Sequence, residues 1–98
     1  MAKYHLYWRL NRSSIPVDAK ERGGSWGLFM AMIKQDMGKG VLKDWGAFTS
    51  EGEGYAIVEG TNVEIMKMTE QYVPYVLFET KPVSSVEEVN ELIAHLSG

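Results

Sequence analysis

An α+β fold, an antiparallel sheet covered by helices on one face, is predicted by three observations. Lys3 to Leu10 alternates with period two, placing Tyr4, Leu6, Trp8 and Leu10 on one side and Lys3, His5, Tyr7 and Arg9 on the other. Gly54-Tyr-Ala-Ile-Val-Glu-Gly60 is a β-favouring run with a glycine at each end and apolar groups on both faces, which suits a strand in the middle of a sheet. Stretches with helical spacing separate the strand-like runs, giving the order strand, helix, strand, strand, helix, strand and a final helix.

The elements follow in order. After the first strand, Asn11 to Ile15 has turn chemistry, and Pro16 suits the first turn of a helix, where its missing N–H costs nothing. From about Val17 to Met37, Trp26, Met30, Ile33 and Met37 recur at helical spacing and Phe29 widens the stripe; Gly23 and Gly24 predict a kink near its start. Gly38 or Gly40 supplies the left-handed C-cap. Val41 to Thr49 reads as an edge strand with Lys43, Trp45, Ala47 and Thr49 opposite Leu42, Asp44, Gly46 and Phe48, and Ser50 to Gly54 as the hairpin into the central strand. Thr61 and Glu64 form a capping box for a short helix that Pro74 terminates. Tyr75 to Lys81 alternates as a fourth strand that Pro82 interrupts. Ser84 and Ser85, each three residues before a glutamate, predict a last helix with the stripe Val86, Val89, Leu92, Ile93 and Leu96, packed outside the sheet or across a neighbour.

This order is the split βαβ or ferredoxin-like βαββαβ plan with an extra C-terminal helix, in a single domain over residues 1–98. In that plan the first and third strands are central and the helices cover one face. The other face would carry Tyr7, Tyr55, Ile57, Tyr75 and Leu77, an apolar area suited to burial against a second copy. A homodimer through the open sheet face is therefore expected.

The pattern Gly54-Tyr-Ala-Ile-Val-Glu-Gly, a short helix, then Tyr72-Val-Pro-Tyr-Val-Leu-Phe-Glu and Pro82-Val83, with Trp45-Gly46 before the hairpin, resembles a domain-of-unknown-function family within the dimeric α/β-barrel superfamily. The resemblance spans nearly the whole chain and rests on strand and turn signals. It implies a homodimeric barrel and a distant similarity to muconolactone-isomerase-like and antibiotic-biosynthesis-monooxygenase-like proteins.

Composition excludes several classes. Without cysteine there is no disulfide, thiolate zinc site or thiol nucleophile. A net charge of -3 with the ten Lys and Arg scattered among acids offers no basic stripe for nucleic acid. Apolar runs are too short to span a membrane and no signal peptide opens the chain, so a cytoplasmic protein is expected. Dinucleotide, phosphate-loop, hydrolase-elbow and zinc-protease motifs are absent, and no cofactor is expected.

The candidate site comes from strand register. Antiparallel pairing would set His5 between Glu59 and Glu79 and bring Arg9 near Tyr55 and Tyr75, with Tyr7 between the two clusters. An imidazole beside carboxylates suits a proton shuttle, which makes His5, Tyr7 and Arg9 the catalytic candidates. His5 with Glu59 and Glu79 could instead hold a divalent metal, or these charges could form a satisfied network at a dimer interface. Glu59, Glu79, Tyr55, Tyr75, Trp26, Met30 and Trp45 are the ligand-binding candidates, the last three through an adaptable pocket that also draws on Phe29, Met32, Met37, Met66 and Met68. His95 suits a helix C-terminus. The functional expectation is a small-molecule-binding module. The alternatives are a cofactor-independent isomerase or monooxygenase acting on an aromatic or enol-type substrate, and a purely structural dimer.

Overall fold

The computed structural model describes residues 2–98. It is an α+β domain whose strands are β1 (Lys3–Leu10), β2 (Leu42–Ala47), β3 (Glu53–Glu59) and β4 (Val76–Val83), and whose helices are α1 (Ala19–Gly38), α2 (Asn62–Glu70) and α3 (Val86–Ser97). The strands form one open antiparallel sheet in the spatial order β2-β3-β1-β4.

One face of this sheet makes the core. Alternation along β1 and β3 turns Leu6, Trp8, Leu10, Ala56 and Val58 to the same side, where they meet Phe29 and Ile33 of α1 and Ile65 and Met68 of α2. The opposite face has no helix of its own chain against it.

Helix α1 starts later than its sequence suggests and is unbroken to Gly38. Asp18, not Pro16, caps it, accepting from the Glu21 amide at 3.1 Å. The helix continues through Gly23 and Gly24, which lie on its exposed side, where a missing side chain leaves no hole in the core. Its buried residues are Phe29, Ile33 and Asp36, so the stripe is rotated from the Met30 and Met37 line; Met37 is exposed. Gly40, at φ 85, makes the left-handed exit.

Two strand expectations also change. In β2, pairing steps from Leu42 opposite Val58 to Asp44 opposite Ile57, leaving Lys43 as an extra residue in a β-bulge. The bulge reverses the alternation, so Leu42 joins Trp45 on the core side instead of opposing it. In β4, Pro82 stays in the ladder opposite Tyr4 and the strand runs on to Val83. An edge strand tolerates this, because one of its sides needs no N–H donor.

The two later helices begin as expected. Thr61 and Ser85 each form a complete capping box, with Glu64 and Glu88 respectively. Helix α2 turns Ile65 and Met68 inward, whereas α3 buries none of its residues and packs on neither face of its own sheet. Among the described residues, no helix is long and apolar enough to cross a membrane.

Candidate functional site

Between the helices and the core face of the sheet lies an apolar cavity of about 40 Å³. A water needs about 10–15 Å³ by this kind of measure, so there is space for a few water-sized groups, but the walls offer water little to bond. Leu6, Leu42 and Ala56 form its floor, Phe29, Ile33 and Met68 come from the helices, and aromatic rings complete the wall.

Three tryptophans set one end. Trp8 projects from the middle of β1 and lies over Gly54, its partner across the ladder. A Cβ at Gly54 would overlap both the Trp8 ring and the Gly46 carbonyl oxygen, so the glycine is what lets the indole lie flat against the sheet. The Trp8 Nε1–H donates to the carbonyls of Gly46 and Tyr55, each at 3.2 Å, which fixes the ring. Trp45 stacks on it, with centroids 5.5 Å apart and an interplanar angle of 6°. Trp26 meets it edge-on at 6.1 Å and directs its own Nε1–H to Glu51 at 3.4 Å. Glu51 also pairs with Arg22 at 3.1 Å, tying α1 to the β2–β3 turn.

A polar cluster stands at the other side. Asp36 is only 2% exposed although it carries a carboxyl group. Its Oδ2 accepts from the Tyr72 hydroxyl at 2.7 Å and its Oδ1 from Gln71 Nε2 at 3.2 Å. Burial pushes the Tyr72 hydroxyl pKa well above its ordinary value, and the bond to Asp36 and that group's charge push it further. Tyr72 also lines the cavity, packing against Phe29 and Phe78, and its hydroxyl is the bonding group that ties the cavity wall to Asp36.

The outer sheet face has a different chemistry. His5 stands opposite Ile57 on β3 and Lys81 on β4, Tyr7 opposite Tyr55 and Glu79, and Arg9 opposite Glu53 and Leu77. Each pairing is displaced by two residues from the expected register. His5 therefore does not sit directly between Glu59 and Glu79, which become diagonal neighbours. At the far ends of the strands Lys3 pairs with Glu59 on one side and with Val83 on the other, so the β4 ladder continues past Pro82. Glu59 is answered instead by Lys3 and Lys43, each at 3.7 Å. His5 stacks on Tyr55 at 6.3 Å, and Tyr55 donates its hydroxyl to Asp44 at 2.9 Å. That bond, followed by partial desolvation and the Asp44 charge, raises the Tyr55 pKa. Tyr7 donates to Glu53 and packs against Phe48. Among the described residues, no three His, Asp or Glu converge as a metal site.

The sequence-predicted residues are thus divided between two faces. Trp26 and Trp45 line the cavity and Met30 packs beside the core, while His5, Tyr7, Arg9, Tyr55, Glu59 and Glu79 belong to the outer face. Tyr75 belongs to neither strand group: it precedes β4 and packs its ring against Phe29, with centroids 5.9 Å apart. Of the methionines expected in a pocket, Met68 lines the cavity, Met32 packs against the core, and Met66 is exposed. Sequence reasoning missed Asp36 and Gln71. The signal for Asp36 was its spacing, three residues after Ile33 and seven after Phe29, which puts a carboxyl on the buried line of α1. Searches against protein-family models and against curated proteins return no match for this chain.

Proposed function

We propose that this chain is a small-molecule-binding module of the ferredoxin-like plan, acting as a homodimer through its open sheet face. The observation that carries the binding role is the tryptophan-walled cavity. Its surface is almost wholly apolar and walled by aromatic rings, and its size suits a very small apolar molecule or the tip of a larger one. The homodimer is supported by the outer sheet face, where Phe48 and Leu77 stay exposed and Ile57 is half-buried.

A catalytic role for His5, Tyr7 and Arg9 would have to be exercised on the outer face, across the sheet from the cavity. No specific observation favours it over binding.

The test uses the full chain purified without added ligand. Native mass spectrometry reads subunit number and any retained molecule, and the NMR shift of dissolved xenon, followed as protein is added, reads occupation of the cavity. Ala56→Leu fills the cavity floor. A saturable shift with the native chain, weakened at least tenfold in a folded Ala56→Leu variant, supports the reading. An equal shift with both, or none with either, overturns it.

A further inference from the structure

Helix α3 is a complete helix with nothing of its own chain to pack on. Val86, Val89, Leu92, Ile93 and Leu96 lie on one side of it and remain between 45% and 75% exposed. A helix of 12 residues is marginal in water, and in proteins such a helix is held by burying its apolar stripe. The chain instead carries it as an arm. The radius of gyration is 16.2 Å, against about 13 Å for a compact chain of this length, and the molecule extends 60 Å along one axis but only 26 and 19 Å along the others.

We propose that α3 is a dimerisation arm whose aliphatic stripe seats on the outer sheet face of a second copy of this chain. The inference rests on the homodimer reading above and names which surface covers which. Two features select a second copy as the occupant. The first is charge. The arm carries Glu87, Glu88 and Glu91 and no lysine or arginine, so of the chain's net charge of -3 the arm accounts for all three negative charges and the remainder sums to zero. The outer face carries Glu53, Glu59 and Glu79 as well as cations, but Glu59 is already paired with Lys3 and Lys43 and Glu53 accepts from Tyr7, whereas neither Arg9 nor Lys81, beside Leu77 and Ile57, has a carboxylate within salt-bridge distance among the described residues. An acidic aliphatic arm thus meets a mixed aromatic and aliphatic face on which two cations stand without a carboxylate partner.

The second feature is area. A Val, Leu or Ile side chain offers about 60–120 Å² of removable apolar surface, so five at these exposures give roughly 200–350 Å² per arm. A two-fold axis uses each surface twice, once as arm and once as receiving face. Each protomer then contributes about 400–700 Å², from half to nearly all of the roughly 800 Å² per partner in an ordinary stable interface.

The absence of native cysteine makes the test direct. Chains carrying Ile93→Cys and chains carrying Leu77→Cys are mixed, exchanged and mildly oxidised, and linkage is read by mass spectrometry. A disulfide between the two variants, exceeding either self-linked product, is the expected result. Self-linkage of Leu77→Cys alone would show sheet facing sheet without the arm, overturning this inference while leaving the homodimer intact. A monomer in sedimentation with no linkage would overturn both. As a second reading, Leu92→Glu should turn the dimer into monomer and lower helical ellipticity as α3 frays; a Leu92→Glu variant that remains dimeric also overturns the inference.

Discussion

Asp36 brings a carboxyl group into the core side of α1, where the described residues offer it a hydroxyl and an amide but no ion-pair partner. Hydrogen bonds are then what make its burial tolerable, and Tyr72 supplies the shorter one. Tyr72→Phe is expected to cost about 1–3 kcal/mol in urea unfolding, because it leaves Asp36 with Gln71 alone. The same tyrosine shapes the alkaline limb of stability. In the unfolded chain it titrates near 10.0, and in the fold it keeps its proton to higher pH. Above pH 10 the unfolded state therefore binds fewer protons than the folded state, and stability falls as pH rises. Its contribution is fully present below pH 10 and is lost as pH climbs toward the folded value. Thermal melts between about pH 8 and pH 11 should show this loss, and Tyr72→Phe should flatten it, leaving a smaller part to Tyr55, whose pKa is also raised.

At the scale of the element, α1 shows where sequence information is strong and where it fails. Gly23, Gly24 and Gly27 lie within the helix, and a Cβ built on any of them meets nothing within 4 Å. Replacing each by alanine is expected to stabilise the protein by about 0.5–1 kcal/mol, measured as a shift in the urea midpoint with unchanged slope. Glycine there invites a kink on propensity grounds, but a helix on a packed core keeps its hydrogen bonds when the glycines face water. Capping boxes and strand alternation were legible because they are local: Thr61 with Glu64, Ser85 with Glu88, and the buried side of β1 all follow from spacing within a few residues. The register around His5 was not, because nothing near His5 decides it. On the β4 side that register includes Pro82 and Val83, whose place in the ladder depends on β4 being an edge strand, and on the β3 side a separate pairing sets Lys3 opposite Glu59. The cavity was partly legible through Trp26 and Trp45, whereas the role of Trp8 depends on Gly54, its cross-strand neighbour 46 positions along the chain.

The whole molecule is one layered body with a projecting helix, and its stability should depend on protein concentration. If the arm and the outer face are buried only on association, the melting midpoint rises with concentration and the α3 amides gain hydrogen-exchange protection together with those of the association interface. A midpoint constant over a hundredfold concentration range, spanning the dissociation constant found by sedimentation, would contradict this. Within the single body, the sides of β2 are assigned by its bulge. Lys43 is exposed, so its own side chain faces little steric demand at that point. Its presence in the count is another matter. Leu42 and Trp45 are three positions apart, a spacing that a regular strand turns to opposite sides, and only because the bulge absorbs Lys43 do the aliphatic floor and the stacked indole share the core side. Position 43 is therefore present in the chain but not counted by the ladder, and its side chain adds only a surface ion pair with Glu59 at 3.7 Å.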